Sequence, residues 1–436
     1  LFAYGAAINS GNLEAFGLQQ AGVEAYVERH HLYVEGSRVE RLKVRPVGDA
    51  FVREGHVYPA KQPGQLMAGA CAYFPLHALG LSYADDFLLT AALVTFLTAS
   101  LVTAASAVAV FRTAREFATG ESSIFWPLLA ALSYGLATTA FVYSGIAWHD
   151  ALATGYLAIA LYLVVRLRRE AEGRRAATLA ACAGVMLGLT VTTSMLPFFM
   201  AAAVALYFVS LRRWRLLPAF IAGGLAGLLP LLIYDAVCFG NPLLLPNVAG
   251  NYSDTFFRLD GENFFGKLDF YARTLTLYVP VFWAGLVGLA LLPARLRREQ
   301  ALALVMLAAL AAYILNIEAN GTCQYGPRYL LPAMPLACLG LAGFGLLRRR
   351  ALRLLFGVLV TAFAVASFVI NLVGAMHGAM LCNFPGSALA AYINEMMSGA
   401  MHSYPLARWL AIPLAVCVAL FVHALAVRRS GAGRAA

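Results

Sequence analysis

Three stretches of this 436-residue chain set charged and hydrogen-bonding side chains against long apolar runs. The first, GDAFVREGHVYPAKQPG, carries Asp49, His56, Tyr58 and Lys61 immediately before QLMAGACAYFPLHALG. Pro59 and Pro63 flank Lys61 and restrict the local backbone. A lysine held there can stay charged at headgroup depth and meet a phosphate, or it can snorkel from an apolar anchor. Spacing alone leaves both readings open. Asp49 falls in a turn that leads into an alternating, strand-like stretch.

The second stretch, GIAWHDALATGYL, opens an apolar run with Trp148, His149 and Asp150. An acid in a helix's first turn is favoured by the helix dipole, so Asp150 reads as a helix-start residue or as a functional acid. His149 reads as an interfacial belt residue or as a donor to a sugar or phosphate. The third stretch, NGTCQYGPRYLLPAMP, crowds Asn320, Gln324, Tyr325, Arg328 and Tyr329 against another apolar start. Arg328 points to an anion, and phosphate suits its planar fork; a structural salt bridge is the alternative. A fourth group, CFGNPLLLPNVAGNYSDTFF, brings Asn241, Asn247, Asn251, Tyr252 and Asp254, which suit a sugar or simply turns.

The elements that must position these residues are membrane helices. The chain is 61% hydrophobic and 12% charged, with a mean hydropathy of +0.73. A soluble domain carries roughly a quarter charged residues. Runs able to cross roughly 30 Å of hydrocarbon fall near 86–110, 123–145, 148–165, 176–194, 196–211 and 216–236. Others fall near 271–292, 300–317, 330–347, 352–375 and 405–427. The opening LFAYGAAI reads as the last turns of a helix begun upstream, which brings the expectation to about twelve spans.

Arginine clusters orient the chain. If Arg112/Arg115, Arg166–Arg175, Arg212–Arg215, Arg295–Arg298, Arg348–Arg353 and Arg428/Arg429 share the inner side, loops 9–62, 237–270, 318–329 and 376–404 are outer. Arg328 then stands on the outer side, against the topogenic trend. Segment 65–82 must lie along the interface or re-enter. Within 9–62, LEAFGLQQAGVEAYVERH recurs at helical spacing and suits an amphipathic helix on the membrane surface. The long outer loops hold most of the acids, histidines and asparagines, so the chemistry is expected there.

Several classes are excluded or disfavoured. No GxxxxGK[ST] marks ATP use, no HExxH or GxSxG marks a protease, and no pair of broken helices marks a transporter. The seven cysteines form no metal-binding spacing. Cys323 and Cys382, in outer loops, are either free thiols or a disulfide.

Taken in order, these motifs resemble those of the GT-C-type membrane glycosyltransferases, the superfamily that includes protein mannosyltransferases and aminoarabinose transferases. GDAFVREGHVYPAKQPG is similar to a first-loop pattern GDxxxxxGHYYSDKPPG, WHDALA to a histidine-led span, and YGPRYLLPAMP to YGPRYLLPALP. The resemblance implies an all-α integral membrane protein, a single polytopic domain over 1–436, with a GT-C-like bundle and a juxtamembrane helical first loop. It also implies transfer of a sugar from a polyprenyl-phosphate donor to a lipid or glycan acceptor, at the outer face of a bacterial inner membrane.

On that resemblance Lys61 and Arg328 bind donor phosphate, with His56, Tyr58, His149, Asp150 and Tyr325 lining the substrate site. Two positions where the family usually carries acids are neutral here: Asn9 or Asn12 after the first helix, and Ala60 before the lysine. An amide takes no proton from a hydroxyl, so Asp49 becomes the first candidate for the catalytic base or an acceptor-orienting group, with Glu14 second. No cofactor is required, since lysine and arginine can hold phosphate, and a divalent cation is compatible. Other implied partners are membrane lipids and a membrane-protein complex, with no nucleic acid. The alternative reading is a non-catalytic GT-C-like subunit that binds lipid or scaffolds a complex.

Overall fold

The computed structural model describes residues 1–38, 50–58, 62–117, 124–249, 256–257, 264–321, 324–378, 390, 393–394, 397–398 and 402–432. Cys323 and Cys382 lie outside them. The chain begins with α1 (Phe2–Ala7), α2 (Ser10–Ala15) and α3 (Gly17–Glu28). An antiparallel hairpin follows, β1 (Phe51–Arg53) and β2 (His56–Tyr58), with Val52 opposite Val57. Next come α4 (Gly64–Ala78), α5 (Phe87–Thr95), a π turn (Phe96–Ser100) and α6 (Leu101–Phe117). Then come α7 (Phe125–Leu136), α8 (Thr139–Ser144), α9 (His149–Leu167), α10 (Arg174–Thr193), α11 (Phe198–Ser210) and α12 (Leu217–Phe239). The C-terminal half holds α13 (Pro246–Ala249), α14 (Phe264–Tyr278), α15 (Val281–Ala290), α16 (Arg297–Leu315) and α17 (Met334–Gly340). It ends with α18 (Ala342–Gly345), α19 (Arg350–His377) and α20 (Ala407–Ala432).

Among the described residues, six helices are long and apolar enough to cross a membrane, and the pair α14/α15, bent by 107°, makes a seventh if it is one broken span. Helix α7, α11 and the Ala407–His423 part of α20 are apolar but shorter. This is an integral membrane protein with fewer long straight crossings than the hydropathy runs promise. The reason is local. The run at 330–347 holds Pro332 and Pro335, which cannot donate to a helical ladder, and it breaks into a 3-10 turn (Arg328–Ala333), α17 and α18. The run at 123–145 breaks at Thr138, whose side chain caps α8 by accepting from the Ala140 N–H at 3.2 Å.

Segment 65–82 forms no helix long enough to count as a crossing. Helix α4 has 15 residues and packs along α3, where Gly69 admits the Val23 side chain. The sequence suggested an amphipathic α3 on the membrane surface; in the fold, polar side chains of α3 find partners inside the protein. The Tyr83 hydroxyl donates to Gln20 Oε1 at 2.6 Å, and Glu24, 1% exposed, pairs with Arg29 at 3.6 Å.

Small residues set the tightest helix contacts, as membrane packing favours. A Cβ on Gly184 would lie 2.1 Å from the Phe220 carbonyl oxygen, and one on Gly223 2.0 Å from that of Ala181. Gly188 and Gly227 extend the same seam between α10 and α12. A second seam joins Gly285 and Gly288 of α15 to Gly340 and Gly343 around α17.

Hydrogen bonds gather one set of helix ends on an arginine-rich face. Arg166 and Arg169 both pair with Glu116 at 2.9 Å, Arg168 pairs with Glu299, and Arg213 donates to the Glu170 carbonyl at 2.6 Å. Arg295 reaches the Phe117 carbonyl at 2.9 Å. Helix α9 starts at the opposite face, so its 19 residues separate the two ends by about 28 Å.

Candidate functional site

At the far end of α9 the second and third sequence motifs meet. Trp148 precedes the helix in extended conformation, which turns the chain so that His149 and Asp150 open the first turn. Asp150 is 2% exposed and sits at the centre of the site. Its carboxylate accepts from Trp148 Nε1 at 3.2 Å and from the Ser194 hydroxyl at 3.3 Å. His149 Nε2 lies 3.4 Å from Oδ1, and Arg328 Nε 3.8 Å from Oδ2. Asp150 therefore sits in the helix's first turn and also holds the arginine, which combines both readings of its position.

Arg328 owes its position to the turn before it. Gly326 has φ +65°, a left-handed conformation that a side chain resists, and a Cβ there would also press Thr139 at 2.9 Å. Tyr143 donates to the Tyr325 carbonyl at 2.9 Å and anchors the strand of this turn in the core. The guanidinium then lies over the rings of Trp148 at 5.5 Å and Tyr329 at 4.8 Å, a cation–π sandwich beside the carboxylate. A side chain 10% exposed is thus fixed by charge on one side and aromatic faces on the others.

The first-loop motif reaches the same place through its last glycine. Gly64 lies so close to the C-terminal end of α10 that a Cβ would stand 2.2 Å from Thr193 Oγ1 and 2.6 Å from its Cα. Gln62, two residues earlier, donates to Asn247 Oδ1 at 2.7 Å. Gln62 and Asn247 line a cavity of about 50 Å³ together with His149, Asp150, Ser194 and Arg328. Roughly 30 Å³ per liquid water makes that space enough for small polar guests, and a sugar–lipid donor requires its walls to part.

Asp49 and Lys61 lie outside the described residues, as do Asn251, Tyr252 and Asp254; Gln62 is the chain neighbour of Lys61 that the cavity shows. Glu14 is on an exposed face of α2 and does not line the cavity. Phe16, at the end of that helix, packs edge-on against Trp148 with ring centres 4.9 Å apart. Tyr325 is wholly buried, donates to the Ile370 carbonyl at 2.6 Å and meets Tyr278 edge-on. It supports the turn from inside the core and does not face the cavity.

His56 and Tyr58 belong to an aromatic ladder on the hairpin, away from the cavity. His31 stacks on Tyr33 at 3.8 Å, Tyr33 on His56 at 4.0 Å, and Tyr58 on Phe51 at 4.8 Å. Glu35 Oε2 lies 3.8 Å from His56, and its other oxygen accepts the Val57 N–H at 2.6 Å. Burial and the nearby Arg29 lower the His31 pKa, and burial raises that of Tyr58. The ladder stiffens the strand that leads toward Pro59 and Lys61.

Asn9, one of the two asparagines that follow the first helix, does structural work. Asn9 caps α2 by accepting the Asn12 N–H at 2.9 Å, and its amide donates to the Ala375 carbonyl at 2.9 Å. Among the described residues, no group of three or more His, Cys, Asp or Glu side chains is arranged to hold a metal ion. Ser194 and Gln62 are members of the site that residue type alone did not single out. Asn247 appeared only in the weak loop group.

No protein-family model matches the chain, and no curated protein matches it. Among solved structures, ArnT from Cupriavidus metallidurans bound to undecaprenyl phosphate is similar, with 12% identity and a TM-score of 0.51 over 86% of this chain and 73% of that one. The archaeal oligosaccharyltransferase AglB from Archaeoglobus fulgidus, in complex with an inhibitory peptide and a dolichol-phosphate, has 12% identity and a TM-score of 0.48. That alignment covers 90% of this chain and 54% of AglB, so the chain spans about half of that protein. With its helical content and membrane spans, the protein has an all-α membrane fold similar to that of ArnT.

Proposed function

We propose that the protein is a membrane glycosyltransferase that draws its sugar from a polyprenyl-phosphate donor on the side opposite the arginine-rich face. One observation carries the reading: Arg328, fixed by buried Asp150, lines the same cleft as Gln62, the residue after Lys61. The motifs that resemble the phosphate-binding parts of GT-C enzymes thus converge, although they come from distant parts of the sequence. The undecaprenyl phosphate held by the structurally similar ArnT supports the same donor class.

The reaction is a displacement at the anomeric carbon. The acceptor hydroxyl oxygen forms the new bond, and the bond from carbon to phosphate oxygen breaks with its electron pair leaving on the phosphate. Lys61 and Arg328 meet the charge that grows there, and fixed cations lower that barrier most when nothing must reorganise. The hydroxyl proton passes to the Asp49 carboxylate, with Glu14 the second candidate. Asp150 acts through Arg328: it fixes the guanidinium and its orientation. The chemistry needs no metal, since the two cations can hold the phosphate, and a divalent ion there is compatible with it. The membrane is a bacterial inner membrane, with the site on the periplasmic side and a lipid or glycan as acceptor.

The test is transfer from a polyprenyl-phosphate sugar by the purified protein, with Arg328→Lys, Arg328→Gln and Lys61→Ala beside it. Loss of a fixed charge-stabilising group typically costs about 100-fold or more in turnover, and Arg328→Lys should recover only part of it. Full turnover by both Arg328→Gln and Lys61→Ala would overturn the shared phosphate site. Turnover unchanged in Asp49→Asn and in Glu14→Gln would remove the assigned base.

A non-catalytic, lipid-binding or scaffolding subunit is favoured by one observation, the use of Asn9 as a helix cap where family members carry an acid. It predicts donor binding without turnover and stable co-purification with other membrane subunits.

A further inference from the structure

On the arginine-rich face a groove of about 1030 Å³ runs between α7, α18 and α19. That is at the upper end of the roughly 300–1,000 Å³ typical of small-molecule sites. Its long wall is one stripe of α19. Arg350, Arg353, Gly357, Thr361 and Val365 recur at three- and four-residue spacing along it, a rise of about 22 Å. Across from them stand Trp126 and Gly345, and Gly345 is bare because a Cβ would lie 2.5 Å from the Trp126 ring. Thr361 apart, the walls are apolar except at one end, where the two arginines sit, and none of the lining residues is acidic.

The arginines of this end differ from the five that tie the helix ends of this face together. Arg166, Arg168, Arg169, Arg213 and Arg295 are all engaged with carboxylates or carbonyls. Arg350 and Arg353 are exposed, and among the described residues their guanidinium groups have no ion-pair or hydrogen-bond partner. Two unpaired cations at the mouth of an apolar groove, beside a tryptophan at helix-end depth, match a ligand with a charged phosphate and long hydrocarbon chains. The groove ends at Ala114, close to Glu116, which binds Arg166 and Arg169. Its charged end therefore lies on the face opposite Arg328, and it shares no lining residue with the donor cleft.

We propose that this groove is a specific site for an anionic glycerophospholipid of the leaflet on the arginine-rich side. The headgroup phosphate lies between Arg350 and Arg353, and the acyl chains run along the Gly357–Val365 stripe. The site is independent of the glycosyltransferase reading and holds whether or not sugar transfer is found.

Native mass spectrometry of the delipidated full chain, re-exposed to equal phosphatidylglycerol and phosphatidylcholine, tests it. One phosphatidylglycerol should be retained in preference, and each arginine near an anionic surface accounts for about a fivefold preference. Arg350→Gln with Arg353→Gln should abolish that preference, while Arg348→Gln with Arg349→Gln, which removes the same charge beside the groove, should keep it. Gly357→Leu should expel the lipid with every charge in place. Its Cβ has only ordinary contacts, the nearest ring atom being at 3.9 Å, so the longer side chain extends into the groove without forcing the fold. Equal retention of the two lipids by the unaltered protein would mean an annular lipid only. Equal losses in the two double variants, full retention in Gly357→Leu, or displacement by millimolar inorganic phosphate would each overturn the proposal.

Discussion

Arg328 and the Arg350–Arg353 pair are arginines at the ends of apolar helices, on opposite faces of one bundle, and the surrounding protein treats them in opposite ways. Arg328 is clamped by a buried carboxylate and two aromatic faces. Arg350 and Arg353 have no anionic partner among the described residues and stand at the rim of a groove. A clamped guanidinium is pre-oriented for a ligand whose charge develops during a reaction, because it does not need to move. An unclamped pair suits a ligand that arrives already charged and supplies the missing counter-ion. The buried pair also makes Arg328 part of the fold, whereas the groove arginines contribute little to it.

The largest effect should come from breaking the clamp. Asp150→Asn leaves the Arg328 charge uncompensated in a buried setting, and removal of one partner of such a pair costs about 3–5 kcal/mol. Arg350→Gln with Arg353→Gln should cost less than about 1 kcal/mol, as exposed charges do. Thermal or denaturant unfolding of the purified variants measures both, and equal losses would erase the distinction.

A smaller effect is expected at Gly64, where the first loop touches the clamped site. Gly64→Ala forces its Cβ against Thr193 and should cost about 1–3 kcal/mol as overpacking. It should also loosen the Gln62–Asn247 bond, which hydrogen exchange at 62–66 would report. Unchanged exchange and stability would show that the loop is not seated on α10.

The smallest effect is on the hairpin. The His31 pKa is lowered in the folded protein, so its neutral form is the one the fold prefers. The stabilisation is complete above its unfolded value of about 6.5 and is lost as pH falls through the lower folded value. Arg29 and His56 oppose the proton, while Glu35 and the Tyr33 carbonyl favour it. Exchange protection at 51–58 should therefore decline on acidification below about pH 6.5. Protection that rises instead would reverse the assignment.

The sequence made some of this legible. Trp148–Asp150 and Arg328 stood out because charged groups at the start of apolar runs are costly unless something holds them, and the arginine clusters marked the opposite face. What it could not show was that Asp150 and Arg328 hold each other, since no periodicity links residues so far apart. Ser194 was invisible for a simpler reason: a lone serine after two threonines has no distinguishing pattern. Fewer helices are long and straight than there are hydropathy runs, because hydropathy registers apolar length and misses the prolines and caps that break it. The polar side chains of α3 suited a membrane-surface helix, and the partners of Gln20 in α5 and the loop before it, with Arg29 beside Glu24, are visible only in the fold.

The π turn at Phe96–Ser100 has a consequence for comparing this chain with its relatives. It lies inside the continuous helical unit Phe87–Phe117, and the Ser100 hydroxyl donates from it to the Ser144 carbonyl at 2.8 Å, just ahead of the site. A single π turn accommodates one residue more than an α-helix needs. A homologue one residue shorter here would regain a plain helix with both ends unmoved. An alignment should therefore place a one-residue gap between Thr95 and Leu101, where hydropathy alone would slide the whole span and shift every residue of α6 by about 100° around its axis.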